Sequence, residues 1–253
     1  MRFTMKNKAL RAILIAALWL GLWWLVAICV GKDVLVPSPW QVAVRLSELV
    51  RQGSFWEILF SSILRITVGF LAGALLGAAV GVLTALIPGS VPFLAPLLTV
   101  IKTAPVASFI ILALVWLKAD AVPVFIAFLM VFPILQSNVC AGIRAVSPAL
   151  LEMLQVFRVK PLRRIHALYL PSVLPYFTAG CSTAFGLAWK AGVAAEVISL
   201  PMRSIGRQLY FSKLYLQTTD VFAWTVMVVL LSLVMEKLLT SGLHQLTKGG
   251  DAA

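Results

Sequence analysis

Long, unbroken apolar segments are the feature that most restricts how this chain can fold. The segment 58–87, for example, contains a single ionisable residue, Arg65. A transmembrane helix needs about 20 consecutive apolar residues, whereas a soluble domain is about half apolar and about a quarter charged. Here 61% of the 253 residues are hydrophobic and only 12% are charged. We therefore predict an all-α, polytopic membrane helix bundle, and the composition excludes a soluble globular protein and a disordered one.

Six apolar segments are long enough to be transmembrane helices, so we interpret 1–253 as a single transmembrane domain. The first segment is longer than the apolar part of a signal peptide, and no A-x-A cleavage motif follows it. We therefore expect it to be retained. The stretch 191–218 is mixed and is expected to be partly re-entrant. The predicted spans lie at about 10–30, 58–87, 93–117, 121–142, 168–190 and 220–240.

The charge distribution predicts the orientation of these spans. The net charge of +12 would suggest nucleic acid in a soluble protein. Here the basic residues flank the apolar segments, so no nucleic acid is expected, and the positive-inside rule places the basic loops and both termini in the cytoplasm. We expect a multi-pass protein of the bacterial cytoplasmic (inner) membrane. Its tryptophans would then lie toward the outer interface: Trp19, Trp23, Trp24, Trp40, Trp56, Trp116, Trp189 and Trp224.

The second span carries a glycine at every fourth position, Gly69, Gly73, Gly77 and Gly81. On a helix these residues form a smooth stripe, which lets two helix backbones approach closely. Static packing within the bundle is favoured over a sliding contact.

Ionisable residues at membrane depth are candidates for a functional site, because a charge is costly in lipid. Lys102 lies in the middle of the third predicted span, and Lys190 and Glu196 bracket the end of the fifth. Arg65 is close enough to one end of its span to extend outward to the interface. The alternative for these charges is an ion pair or an interfacial anchor.

The segment 143–171 has the most distinctive pattern in the chain. Ser147-Pro148 predicts a helix start, with a capping serine followed by proline at the first helical position. The helix predicted at 149–157 is amphipathic, carries Glu152 and is too short to span a bilayer. A short helix in a long cytoplasmic loop is expected to dock on a partner. Four basic residues follow it, Arg158, Lys160, Arg163 and Arg164.

From Glu152 to Leu170-Pro171 this loop resembles the "EAA" loop of binding-protein-dependent (type I) ABC importer permeases. In that family a Glu-Ala-Ala start is followed at the same distance by a Leu-Pro that opens the next span. Further matches resemble the nitrate, sulfonate and taurine branch and run in order over about 35–240: Val36-Pro37-Ser38-Pro39, 62–70, Ala195-Glu196-Val197-Ile198 and Ser204-Ile205-Gly206. The chain departs from the family pattern at Met153-Leu154, at Arg158 and at Ser204, the last two of which replace family glycines.

The resemblance implies the transmembrane permease subunit of an ATP-driven ABC importer for a small solute. It implies a homodimer in membrane lipid, two separate ABC ATPase subunits that hold ATP and Mg, and an extracytoplasmic substrate-binding protein. The stretch 147–158 would be the cytoplasmic coupling helix. Lys102, Lys190, Glu196 and Gly206 would be pathway or gate candidates. The implied ATPase-coupling residues are Ala149, Leu150, Glu152, Met153, Gln155, Val156, Phe157, Arg158 and Arg163.

The sequence contains no P-loop, no H-E-x-x-H motif and no carboxylate pair at helical spacing within a span. We therefore expect no enzymatic activity, catalytic residue, metal site or cofactor in this chain. An ion- or proton-coupled secondary transporter is the alternative, although the two halves show no convincing inverted repeat. The nitrate, sulfonate and taurine branch handles oxyanions and sulfonates. Two of the charged pathway candidates, Lys102 and Lys190, are cationic and one, Glu196, is anionic, which slightly favours an anionic solute.

Overall fold

The computed structural model describes the backbone of residues 5–87 and 89–250, and the side chains of 10–87, 89–243 and 245. Regular structure in these residues is entirely helical, which confirms the predicted all-α class. A π-helical turn, Ile165–Tyr169, precedes α9. The helices are α1 (Met5–Val30), α2 (Pro39–Val50), α3 (Gly53–Leu86), α4 (Ser90–Thr103), α5 (Val106–Trp116), α6 (Val122–Arg144), α7 (Pro148–Val156), α8 (Pro161–Arg164), α9 (Leu170–Ser199), α10 (Ile205–Leu214) and α11 (Thr218–Gly250).

Four described helices, α1, α3, α6 and α11, are long and apolar enough to cross a membrane. The segment predicted as a span at 93–117 is not one straight helix, because α4 and α5 form a pair bent by 103°. The break lies at Ala104-Pro105, where Ala104 is extended at φ −71° and ψ 141°. Proline disfavours helical backbone at the residue before it and has no N–H to donate, so the helix ends there. Counted as one bent span, the pair brings the number to five.

The fifth predicted span lies in α9, which runs to Ser199 rather than ending near 190. At about 1.5 Å per residue this 30-residue helix is about 45 Å long, enough to cross a bilayer. It lies at the centre of the bundle, against α3, α6 and α11, but it is not among the four helices that are apolar enough by composition to count as spans. The count of six spans therefore stays a prediction. Within 191–218, the chain continues α9, turns at 200–204 and forms α10.

The glycine stripe of α3 packs directly against the backbone of α6, which confirms the predicted close approach. A Cβ atom added at Gly77 would lie 2.6 Å from the carbonyl oxygen of Phe132, and one at Gly73 would lie 2.8 Å from that of Phe128. Real carbon–oxygen contacts lie at about 3.3–3.6 Å. Alanine therefore does not fit at either position without moving one helix.

One end of the bundle is closed by α2, which packs on α3 and α11. Ser38 caps α2 by accepting a hydrogen bond from the backbone N–H of Gln41. Arg45 pairs with Asp220 of α11 and with Glu48, and these hydrogen bonds raise the pKa of Arg45 above its usual value.

Two of the tryptophans predicted to lie at the interface are instead buried within the protein. Trp189 is 2% exposed, and its indole N–H donates to the carbonyl oxygen of Val228. Trp224 is 3% exposed and packs against the ring of Phe55. Both side chains therefore hold helices together rather than anchoring the protein in the membrane interface.

Candidate functional site

The predicted docking helix is present as α7, with bounds close to those expected. Ser147 is the extended residue before it, and Pro148 occupies the first helical position. No capping bond from the Ser147 side chain occurs among the described residues. The fixed φ of Pro148 and the turn at 145–147 therefore start the helix without that bond.

All nine predicted coupling residues are exposed. Val156 is 79% exposed and Phe157 is 73% exposed. Leu151 and Leu154, in contrast, are only partly accessible. Exposed, contiguous apolar side chains mark interaction surfaces in proteins. The free face of α7 therefore has the character of a docking surface, and Glu152 contributes a carboxylate to it. The exposed residues are Ala149, Leu150, Glu152, Met153, Gln155, Val156, Phe157, Arg158 and Arg163.

The end of α7 shows why glycine would suit the position of Arg158, as the resemblance implies. Arg158 has a φ of +49°, in the left-handed region that favours glycine. Its backbone N–H donates to Gln155, and that of Val159 donates to Leu154. These two bonds form a Schellman motif, which satisfies carbonyl groups at the end of the helix. The motif thus persists although a residue with a Cβ atom occupies the glycine position.

A second arginine attaches α7 to the rest of the loop. The guanidinium group of Arg164 donates to the carbonyl oxygen of Val159 at 2.7 Å, just after the Schellman motif. The chain then passes through α8 and the π-helical turn into α9 without a flexible linker. Of the three arginines that follow α7, Arg164 alone makes a side-chain hydrogen bond among the described residues, while Arg158 and Arg163 are exposed.

A buried polar cluster lies near the other end of the bundle, around Glu196. The Glu196 carboxylate is 0% exposed and accepts hydrogen bonds from the Ser62 hydroxyl at 2.8 Å and from the backbone N–H of Gly206 at 3.2 Å. A guanidinium nitrogen of Arg65 lies 3.5 Å from its other oxygen, Oε1, which accepts no hydrogen bond from the described residues. Arg65 also donates to Asp120. The cluster therefore ties α3 to α9 and α10.

The loop at 200–204 and the first turn of α10 are shaped to fit this cluster. A Cβ atom at Gly206 would collide with the backbone of Glu196 and Val197, so only glycine allows α10 to approach α9 here. At Ser204, where the resemblance implies a glycine, the serine is unstrained, because its φ is −132°. Its hydroxyl accepts from the backbone N–H of Arg207 and donates to the carbonyl oxygen of Pro201, so it caps α10.

Lys102 lies at the opposite end of the bundle, in a cavity of about 390 Å³ between α3, α4 and α6. Its ammonium group donates to the hydroxyl of Ser137 at 3.1 Å. Ser62 and Thr84 mark the two sites on α3, and they are about 33 Å apart along the helix axis. Three of the four predicted pathway residues are thus divided between two sites, with Glu196 and Gly206 at one and Lys102 at the other.

The structure brings Glu196 and Gly206 together but leaves Lys190 apart from them. Lys190 is exposed on α9 and makes no ion pair among the described residues. Lys190 therefore does not pair with Glu196, whereas the ion-pair alternative holds for Glu196 and Arg65. Sequence reasoning missed the partners of these charges. The only local signal was polar residues within apolar segments, such as Ser62 one turn before Arg65.

A bundle of long apolar helices with buried polar contacts and an exposed amphipathic helix at one end is typical of a polytopic membrane protein. Residues 80–240 match the family described as binding-protein-dependent transport system inner membrane component. Because this match covers more than half of the chain, the chain belongs to that family.

Individual relatives place it near the branch expected from the sequence. The putative aliphatic sulfonates transport permease protein SsuC of Escherichia coli (strain K12) is 31% identical over 212 residues, which cover 82% of this chain and 80% of that protein. The SsuC protein of Bacillus subtilis (strain 168) is 27% identical over 85% of this chain and 78% of its own length. The nitrate import permease protein NrtB of Synechocystis is 26% identical, over 78% of this chain and 74% of its own length. The resemblance to nitrate and sulfonate permeases is confirmed.

A solved structure shares the fold. A crystal structure of an amino acid ABC transporter with histidines superposes with a TM-score of 0.56 over 81% of this chain and 96% of that chain, at 16% identity. At this identity the match concerns the fold alone.

Proposed function

We propose that two copies of this chain form the transmembrane pathway of an ABC importer and that α7 docks on a separate ATPase subunit, which holds ATP and Mg. A binding protein outside the membrane delivers the solute. The exposed apolar face of α7 is the observation that carries this proposal, because it is a docking surface at the end of the bundle where basic residues cluster. By the positive-inside rule this end and both termini are cytoplasmic.

The attachment of α7 suggests how movement passes through the chain. The Schellman motif and the Arg164 hydrogen bond hold α7 firmly on the loop, and α8 leads directly into α9. A displacement of α7 would therefore move α9, whose far end holds α10 through Glu196 and Gly206. Transport requires two discrete packings of such elements, each favoured by different contacts.

The relatives support the class of solute. Proteins named for the transport of aliphatic sulfonates, nitrate and bicarbonate all match this chain. These solutes share a negative charge spread over two or three oxygen atoms. We infer a small oxyanion or sulfonate as the solute of this chain.

Glu152→Ala tests the coupling role in the reconstituted complex. We expect the complex to remain assembled or to weaken, and binding-protein-stimulated ATP hydrolysis and solute uptake to fall by about tenfold, the equivalent of one charge-assisted hydrogen bond. Glu236→Ala is the matched control, because it removes another exposed glutamate, on α11, and should change neither rate. Unchanged coupling in Glu152→Ala would remove Glu152 from this role. Uptake driven by an ion gradient without ATPase subunits would instead indicate a secondary transporter.

A further inference from the structure

The cavity beside Lys102 has an unusual charge balance. Lys102 and Arg144 both line it, and no acidic residue is among the described residues that do so. In contrast, Arg45, Arg65 and Arg203 each pair with a carboxylate elsewhere in the described structure. Neither cavity cation belongs to any of these ion pairs. Two cations therefore face one space without a protein counter-charge in the described chain.

The neutral groups of the cavity add hydrogen-bond donors. Lys102 donates to the Ser137 hydroxyl at 3.1 Å, and this hydroxyl donates to the carbonyl oxygen of Pro133 at 2.8 Å and lies 3.4 Å from the amide oxygen of Gln136. Among the described residues this leaves the side-chain NH₂ of Gln136, which lines the cavity, as a donor toward a ligand. Within the described part of the chain Arg144 reaches only a backbone oxygen, that of Thr84, at 3.5 Å, so most of its donors are also available. Ammonium, guanidinium and amide donors together match the oxygens of an oxyanion.

We propose that this cavity binds one small oxyanion or sulfonate between Lys102 and Arg144, on the cytoplasmic half of the translocation pathway. The inference rests on the proposed function, because it assumes that the solute passes through this chain. A volume of about 390 Å³ holds such an ion together with water. The cavity lies where α6 ends and the loop to α7 begins, so movement of α7 can reach its wall.

The site predicts a local preference for negative charge, which a cysteine placed at its edge can measure. Thr99 is exposed, lines the cavity and is close in shape to cysteine. The experiment uses the reconstituted complex in phosphatidylcholine nanodiscs, with Cys29, Cys140 and Cys181 replaced and Thr99→Cys introduced. The reaction rate on this chain is compared for an anionic reagent, sulfonatoethyl methanethiosulfonate, and its cationic trimethylammonium analogue. Ser47→Cys, exposed on α2 at the other end of the bundle, is the matched control.

The charge preference is the rate with the anionic reagent divided by the rate with the cationic one. We expect this ratio, the advantage of the anionic reagent, to be about tenfold larger at Thr99→Cys than at Ser47→Cys. Placing a unit charge about 4 Å from a cation changes an equilibrium by about fivefold in water and by more in a partly dry site. Lys102→Gln and Arg144→Gln should each remove most of this advantage. The same advantage at both cysteines, or its persistence in Lys102→Gln, would overturn the proposal.

Protection separates a binding site from a charged surface, because Thr99 is only one turn from Lys102. Sodium nitrate or sodium methanesulfonate should slow the anionic reagent saturably, at an ionic strength held constant with sodium gluconate. Ser137→Ala should weaken this protection although it removes no charge. Protection that never saturates, or that is unchanged in Ser137→Ala, would overturn the site.

A phospholipid headgroup offers the same oxyanion chemistry from the membrane. Phosphatidylglycerol in the nanodiscs should therefore leave the labelling rate unchanged if the ligand is a soluble anion. Slower labelling with this lipid, together with no protection by nitrate or methanesulfonate, would assign the cavity to lipid and overturn the proposal.

The same preparations distinguish this proposal from the proposed function. Hydrolysis that depends on Glu152, without protection by either anion, would overturn the anion site alone. Protection by an anion, without dependence of hydrolysis on Glu152, would support the cavity and overturn the coupling role.

Discussion

Replacement of Gly77 by alanine tests whether the α3–α6 contact is as close as the structure indicates. The new methyl carbon would lie 2.6 Å from the carbonyl oxygen of Phe132 and 3.0 Å from the Cβ atom of Leu135. The first contact must lengthen by about 0.7 Å to reach about 3.3 Å, the shorter limit of relaxed C···O contacts. The obstructing oxygen belongs to the backbone, so no side-chain rotation relieves the clash and the helices must separate.

The magnitude follows from the loss of packing. A gap of about 0.5–1 Å forfeits about a quarter to a half of each dispersion contact along the seam, and overpacking typically costs about 1–3 kcal/mol. We take the upper value, about 3 kcal/mol, because two rigid backbones meet. A domain of about this length loses about 2–4 °C per kcal/mol, which predicts a fall of about 6–12 °C in melting temperature.

Thermal unfolding in detergent measures this fall. Cys140 and Cys181 are buried, so a thiol-reactive fluorogenic dye reports unfolding once the exposed Cys29 is replaced by serine. Gly186→Ala in α9 is the matched control, because an added Cβ atom there meets nothing within 4 Å. It should keep or slightly raise the melting temperature, since alanine is a better helix former than glycine. A Gly77→Ala melting temperature equal to that of Gly186→Ala would refute the close packing.

Two further substitutions test the loop and the buried cluster. Arg158→Gly should slow amide hydrogen exchange across α7, because glycine adopts a φ of +49° without the strain of about 1 kcal/mol or more that a Cβ atom causes. Glu196→Ala should lower the free energy of unfolding by about 3–5 kcal/mol, because Arg65 loses its buried counter-charge and Ser62 and Gly206 lose their acceptor. Glu196→Gln should destabilise less, since its amide oxygen still accepts both hydrogen bonds. The thermal assay above measures the loss of stability in the two Glu196 variants.

Each of these predictions has a control on the same chain. Arg163→Gly removes an exposed arginine within α8, where the backbone is helical, so it should not slow exchange. Faster exchange in Arg158→Gly would contradict the strain at Arg158. Glu236→Ala should leave the melting temperature unchanged. If Glu196→Ala were as stable as Glu236→Ala, the buried cluster would contribute nothing to stability.

Local signals predicted the elements whose boundaries depend on local chemistry. Ser147-Pro148 placed the start of α7 correctly, and the apolar segment at 121–142 corresponds closely to α6. Four-residue glycine spacing predicted a close helix contact on α3, and it occurs. These features depend on backbone propensity and on the helical period, which neighbouring residues determine. Pro105 indicates a break in the helix at 93–117, but the angle of 103° between α4 and α5 could not be predicted, because a proline alone does not determine the angle at which two helices continue.

By itself, the sequence determined that this protein is an all-helical membrane protein with a short amphipathic helix in a loop, because apolar length and capping residues are local properties, and its motifs showed the resemblance to ABC importer permeases. Only the tertiary structure decided which charges meet. It pairs Glu196 with Arg65 and Ser62 rather than with Lys190, and it places Lys102 and Arg144 around a separate cavity. Ser62 and Glu196 are separated by 134 positions in the chain. Such partners are brought together by the packing of α3, α6 and α9, and the sequence near either residue does not predict that packing.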